Sequence, residues 1–550
     1  MLQLIRWYTD VRTGLPRHRA EASLGRETSV FEHRSRLWRS SDPRELGLEL
    51  GKVQNLRVAA GKLNGVVVPA GQLFSFWKQV GRATRRRGYV DGRELQEGCI
   101  VPAIGGGICQ LSNALYSLAA SAGMEIVERH PHTQVVPGSE AEAGRDATVA
   151  WNHIDLRFRC DQTFQIQAFL TQTELVVRFV SGDAFANVTR PKKPLLNVVQ
   201  SSVGSCETCG EVGCFRHNVA SASVARSASE GRAFVVDAVW PEFQKLLLQS
   251  AHAGDTVLLP IEGARLRLER YAWQVPGGAR VLTATLGALK RTWNSRRSLP
   301  PPAKRALALA DTDSVANRLG QLLPFNARQV TVDIGYCSEL YRRGDLGGRE
   351  VTIWFTRFPL KLVHQLLDEA QAVLPESKTI SDFRADESRV EAEWQAILGA
   401  VKLVTPHPYL ADWLRKNTTV PVELIEWVLP KVVAPAQVEP GLVYFPGPTI
   451  AREGAYALRN AAQSGGVQLA VGGKNLEDPS FWSGVELVPG ERVDSEVVVI
   501  PAVFQNRPVV GLKAVAMGKR VVATATCGIP GAEVVTFGDS EALLKLLTSG

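Results

Sequence analysis

Three glycines, Gly105, Gly106 and Gly107, stand just ahead of Cys109 in the stretch GGGICQLSNALYSLAASAGMEIVERHPH, which ends on His130 and His132. Consecutive glycines adopt backbone angles closed to other residues and can turn their N–H groups toward one point. Leu111, Leu115 and Leu118 then recur at helical spacing and Gly123 supplies a stop, so the pattern predicts a helix over 110–122 with Cys109 at its N-terminus. The helix field and exposed N–H groups there favour a thiolate and would hold an oxyanion beside it. His130 or His132 would serve as the base, and Asp146 in GRDATV or Asp155 in HIDLRF would orient the imidazole. Alternation along an extended segment puts the two histidines on one side, although Pro131 disturbs that geometry. The competing reading is an inert, buried cysteine in front of a tightly packed helix.

A second chemical cluster is SCETCGEVGCFRH, where Cys206, Cys209, Cys214 and His217 follow the spacing C-x2-C-x4-C-x2-H. Three thiols and an imidazole beside turn-forming glycines suit tetrahedral zinc, which would act as a structural clip. The same soft ligands would accept an iron–sulfur centre, and a metal-free thiol pair is the third reading.

The elements that must position these groups are legible from periodicity. Residues 1 to about 50 are arginine-rich, with FEHRSRLW read as the start of a short helix. From there to about 190, NGVVVP, LFSFW, IDLRFRC, FQIQAFLTQ and ELVVRFV read as strands around the helix after Cys109, giving a mixed α/β domain. After PKKPLL the pattern changes to Val- and Ile-rich strands alternating with amphipathic helices, the signature of parallel sheets covered on both faces. We therefore expect an α/β multidomain chain divided as 1–190, a 191–230 linker with the cysteine motif, and two Rossmann-like domains at 231–435 and 436–550.

The 550 residues exceed what one hydrophobic core holds, and 45% hydrophobic with 21% charged residues is an ordinary globular balance. The excess of 63 Lys+Arg over 55 Asp+Glu gives a net charge of +8, which permits an acidic ligand or an anionic surface. RATRRR, residues 82–87, is the densest basic group, read as a solvated turn or an anion contact. No basic patch carries interleaved stacking aromatics, so nucleic acid is not expected as a partner. The apolar run before Asp10 is too short for a signal peptide and no later window reaches the length of a transmembrane span, so the expected location is cytoplasmic.

LNGVVVPAGQLFSFWKQVG, RGYVDGRELQEG, PAIGGGICQLSNALY, ERHPHT and ATVAWNHIDLRF together resemble the VanW family over about 50–180. The resemblance places the family's cysteine on Cys109, its recurrent histidine on His132 and its aspartate on Asp155, with His130 and Asp146 at less constant positions. Some cell-surface members of that family are associated with cysteine-dependent L,D-transpeptidation of peptidoglycan. Carried over, this implies attack by Cys109 on an amide carbonyl, proton exchange by His132, and an oxyanion held by the glycine backbone. The substrate implied is a peptide or a cell-wall-precursor-like small molecule.

The carboxyl-terminal half resembles a GT-B glycosyltransferase, with FPGPTIAREGAYALRNAAQ and VVVIPAVFQNRPVVGLKAVAMGKRVVATATCGI as the matching stretches. Two glutamates of retaining members fall here on Gln505 and Lys513, so the sugar-nucleotide site is altered. Arg452 and Lys474 are candidate diphosphate contacts for a nucleotide, a nucleotide sugar or another anionic ligand. Three functions follow: cysteine-dependent acyl or amide chemistry, sugar transfer from a nucleotide donor, and a noncatalytic scaffold that binds a precursor.

Overall fold

The computed structural model describes residues 2–21, 29–39, 45–96, 99–132, 144–183, 185, 230–381, 384–435, 437–490 and 494–549. Contacts divide the chain into two compact units, Met1–Ala233 with Leu323–Val330 and Arg343–Glu350, and Phe234–Leu322 with Thr331–Arg342 and Val351–Gly550.

The first unit begins with α1 (Leu2–Arg12), β1 (Ser29–Arg36), α2 (Leu46–Leu63), β2 (Val66–Val68), β3 (Leu73–Ser75) and α3 (Phe76–Val80). It continues with β4 (Asp91–Gln96), β5 (Cys99–Ile104), α4 (Cys109–Ser121), β6 (Glu125–Glu128), β7 (Arg157–Arg159), β8 (Phe164–Leu170) and β9 (Glu174–Ser181). Strands β1-β9-β8-β2 form one antiparallel sheet, β3-β7-β6 a second, and β4–β5 a hairpin that leads into the glycine loop. Phe74, Phe158, Phe164 and Phe179 interlock at ring separations of 4.6 to 6.2 Å and join Leu111, Leu115 and Leu118 in one core. Each fully buried leucine or phenylalanine contributes about 1.5–3 kcal/mol.

Two local expectations are corrected. FEHRSRLW contains a strand, not the start of a helix: β1 lies antiparallel to β9, with Phe31 opposite Phe179 and Glu32 opposite Arg178. The reason is its period of two, with Glu32 and Arg34 paired to Arg178 and Glu174 at 2.6 and 3.0 Å on one face while Phe31 turns to the core. LFSFW stops being a strand at Ser75, whose hydroxyl accepts Lys78 N–H at 3.2 Å and caps α3.

Two parallel sheets follow. The first orders β10 (Gly231–Val235), β11 (Thr256–Leu259), β12 (Arg280–Thr283), β13 (Ala327–Asp333), β14 (Glu350–Trp354), β15 (Lys402–Thr405) and β16 (Val422–Leu424) as β12-β11-β10-β13-β14-β15-β16. The second orders β17 (Glu439–Phe445), β18 (Gln468–Val471), β19 (Leu487–Val488), β20 (Ser495–Ile500), β21 (Arg520–Thr524) and β22 (Glu533–Val535) as β19-β18-β17-β20-β21-β22. Both have the doubly wound order, with a switch point between the first and fourth strands. Inside the first of these sheets, β11 is an apolar run buried at every position, as expected where both faces are covered.

Candidate functional site

Helix α4 starts at Cys109 itself and buries Leu111, Ala114, Leu115 and Leu118, which fixes the thiol at the end of a packed element. Its first turn is stitched to the segment that carries Asp146: Ser112 Oγ donates to the Ala147 carbonyl at 2.6 Å, and Ala147 N–H donates to Asn113 Oδ1 at 2.8 Å. Asp146 is 1% exposed. Its Oδ2 accepts His132 N–H at 2.6 Å and lies 3.0 Å from His132 Nδ1, while Oδ1 accepts Arg129 Nη2 at 2.8 Å. With Nδ1 held by the carboxylate, Nε2 is the nitrogen left for the thiol.

Cys109 is half-buried, with Thr148 Oγ1 3.9 Å and the Val149 carbonyl 4.0 Å from Sγ. Burial opposes the thiolate, but interaction with His132 outweighs it and holds the thiol below its ordinary range. Burial likewise opposes the imidazolium, and hydrogen bonds to Asp146 and Cys109 raise His132 to about 9. Burial would raise Asp146, whereas its bonds to His132 and the nearby Arg129 lower it. Sulfur, imidazole and carboxylate thus form a chain whose ionised form is the favoured one.

The other sequence candidates lie elsewhere. His130 is exposed, with Nε2 3.3 Å from Glu128 Oε1, and so does not share the partner of His132. Asp155, the carboxylate favoured by the family pattern, accepts Ser75 Oγ at 2.6 Å, Trp77 N–H at 3.1 Å and Arg157 Nε at 2.9 Å. It ties α3 to β7, and the carboxylate on His132 is Asp146. The glycine loop is also corrected as an oxyanion cradle: Gly105 N–H donates to the Val90 carbonyl at 3.1 Å and Gly106 N–H to the Ala103 carbonyl at 2.9 Å. Among the described residues, the N–H groups of Gly107 and Cys109 donate to no backbone carbonyl. Gly106 is needed for close approach, since a Cβ there would stand 2.5 Å from the Gly92 carbonyl.

Arg129, Ser112, Asn113 and Thr148 complete the site without having been singled out. Arg129 was legible as the basic residue inside ERHPHT; the rest are ordinary polar residues whose meaning depends on the fold. Residues 85–87 of the basic group form a turn in which Arg85 meets Asp91 at 2.8 Å.

The metal expectation is withdrawn. Among the described residues no group of three or more His, Cys, Asp or Glu side chains is placed to hold a metal ion, and Cys206, Cys209, Cys214 and His217 lie outside those residues. Neither zinc nor an iron–sulfur centre is carried further.

In the second parallel sheet, Arg452 and Glu453 form an ion pair at 3.1 Å, and Gln505 Nε2 reaches Glu453 Oε2 at 3.5 Å. Lys474 and Lys513 are exposed and do not share that cluster. Loops at the carboxyl ends of the two sheets meet: Phe358 stacks on Phe504 at 5.4 Å, Asn506 Oδ1 accepts Phe358 N–H at 2.9 Å, and Arg507 pairs with buried Glu242 at 3.0 Å.

Residues 51–180 match the family model described as "VanW like protein". The vancomycin B-type resistance protein VanW of Enterococcus faecalis (strain ATCC 700802 / V583) is 32% identical over 163 residues, 29% of this chain and 58% of that protein. An uncharacterized protein, YoaR, of Bacillus subtilis (strain 168) is 35% identical over 144 residues, 26% of this chain and 47% of that protein. The chain thus spans about half the length of the curated relatives it matches. Solved structures similar to the remainder include a lipopolysaccharide outer core galactosyltransferase, WaaB, at 10% identity and TM-score 0.36, covering 57% of this chain and 88% of that one. Sucrose-phosphate synthase from Thermosynechococcus elongatus aligns at 13% identity and TM-score 0.37, covering 58% and 88%. Residues 51–180 are a VanW-like domain, joined in one chain to two parallel sheets of the doubly wound kind.

Proposed function

We propose that the VanW-like domain performs cysteine-dependent acyl transfer on a peptide or cell-wall-precursor-like amide. The observation that supports this reading is the grouping of Cys109, His132 and Asp146: His132 Nδ1 lies 3.0 Å from Asp146, and interaction with His132 holds the Cys109 thiol below its ordinary range. Cys109 Sγ attacks the amide carbonyl carbon and the developing oxyanion meets Cys109 and Gly107 N–H. The C–N bond breaks as His132 gives its proton to the departing amine, leaving a thioester. An acceptor amine or water then attacks the thioester while His132 takes its proton, and the thiolate leaves. The test is intact-protein mass spectrometry of the full chain with acyl-peptide amides. An acyl adduct mapped to Cys109 and absent from Cys109→Ala is expected; no adduct, with labelling no faster than a free thiol, would overturn the reading.

The second reading is sugar transfer from a nucleotide donor by the two parallel sheets, with the VanW-like domain recognising the acceptor. Its support is topological: two doubly wound sheets present their carboxyl-end loops to each other. At the level of fold the matched enzymes lie with this reading, although TM-scores of 0.36 and 0.37 carry no argument for activity. Phe358, Phe504 and the Arg507–Glu242 pair occupy the place where the loops meet, and Gln505 and Lys513 supply no carboxylate for sugar or ribose hydroxyls. Release of nucleotide from a donor panel, abolished by Lys513→Ala, would move the chemistry there.

A further inference from the structure

The helix Thr285–Ser295 follows β12, the edge strand of the seven-stranded sheet among the described residues. One side packs inward: Ala288 and Asn294 are buried, and Asn294 Nδ2 bonds both oxygens of Asp311 at 3.0 and 2.9 Å. Arg291 anchors the same side through Asp237 at 2.7 Å and the Tyr271 hydroxyl at 2.9 Å. The opposite side carries Leu286, Leu289 and Trp293, which are 85%, 50% and 75% exposed. Their spacing of three and four residues puts them in a single stripe. A continuous apolar stripe facing water marks an interaction surface, in contrast to scattered exposed leucines.

The surrounding charge selects the partner. Residues 280–310 contain seven basic residues, Arg280, Lys290, Arg291, Arg296, Arg297, Lys304 and Arg305, and no Asp or Glu. Lys290, Arg296, Arg297 and Lys304 are exposed. Exposed cations beside leucines and an exposed indole complement an acidic, amphipathic surface, and tryptophan is favoured where apolar and wet regions meet. We propose that this face docks the protein on an anionic lipid bilayer. Leu286, Leu289 and Trp293 enter the boundary between headgroups and acyl chains, while Lys290, Arg296 and Arg297 meet lipid phosphates. An exposed apolar stripe flanked by cations on one helix is the arrangement that lies in the plane of the interface. This inference stands apart from the chemistry at Cys109 and neither depends on the other.

The full chain is floated with vesicles of phosphatidylcholine alone and of phosphatidylcholine mixed with phosphatidylglycerol. Binding to the anionic vesicles is expected, with loss as salt rises. Leu286→Ser/Trp293→Ser should weaken it about ten-fold or more, and Lys290→Gln/Arg296→Gln/Arg297→Gln should do the same while leaving the apolar stripe in place. Thermal melting shows whether each variant is folded, and the charge variant decides the question if the serine variant is not. No flotation of the wild type, or flotation unchanged in both variants, would overturn the proposal. So would a wild-type dimer that the serine variant converts to monomer without any vesicle binding, which would assign the stripe to a second copy of the chain.

Discussion

Cys109 and His132 push each other's protonation in opposite directions, so the thiolate–imidazolium pair is the state to be measured. His132 keeps its proton up to about 9 and the thiol loses its proton below its ordinary range. Alkylation of Cys109 by iodoacetamide should therefore reach half its plateau at a pH below about 8.5, where an isolated thiol would be half-ionised. Asp146→Asn removes the negative charge from His132 Nδ1, lowers the imidazole pKa and raises that of the thiol. Labelling at neutral pH should then fall by roughly ten-fold. Asp155→Asn is the control, because its partners are Ser75, Trp77 and Arg157. It should cost about 1–3 kcal/mol of stability through weakened buried hydrogen bonds, since Arg157 keeps Asp10 as a partner, and leave the labelling midpoint in place. A midpoint that moves with Asp155 and not with Asp146 would reverse these assignments. The sequence brought Cys109 and the histidines into view by type and spacing, but the choice of carboxylate depends on the loop before Thr148, which periodicity does not encode.

At the scale of elements, α4 was legible because its leucines keep helical spacing and a glycine follows them, whereas β1 was misread because its alternation is masked by charged residues. The parallel strands were legible from valine and isoleucine runs that only a doubly covered sheet buries. What no pattern discloses is tight contact between elements far apart in sequence. Gly107 illustrates it: φ is 92°, and a Cβ would stand 2.1 Å from Lys52 Cγ on α2, whose Nζ is held 2.7 Å from Glu49. Gly107→Ala should cost about 1–3 kcal/mol through strain and displacement. It should also slow Cys109 alkylation, because Gly107 N–H lies in the turn that sets the start of α4. Lys52→Ala removes the atoms at 2.1 and 3.1 Å, so in the double variant about 1 kcal/mol of the loss should return. Urea unfolding of the two single variants and the double variant measures this; strict additivity would place the cost of Gly107→Ala elsewhere.

At the scale of the molecule, the carboxyl-terminal sheets are joined through His407, which lies two residues beyond β15 and caps the helix Pro408–Asn417 by accepting Leu410 N–H at Nδ1. The ring is 2% exposed and packed by Phe358 and Trp427 at 4.7 and 5.9 Å. Gly528, beyond β21 of the second sheet, comes so close that a Cβ there would lie 2.4 Å from His407 Cε1. Burial pushes the imidazole down to about 4, against the smaller opposing pull of the Gln505, Thr526 and Cys527 backbone. The sign follows from proton counting: between pH 6.5 and 4 the unfolded chain binds a proton at this position and the native chain does not, so stability falls as the pH falls. Over that window the loss should approach about 3 kcal/mol, and below the folded pKa it should level off because both states are then protonated. His407→Asn keeps a capping side chain but removes the titration, so the urea midpoint of the variant should depend less on pH than that of the wild type across the same window. Equal slopes in the two proteins would show that His407 is protonated in the folded state and that the junction between the two sheets is wetter than the packing of Phe358, Trp427 and Gly528 around it requires.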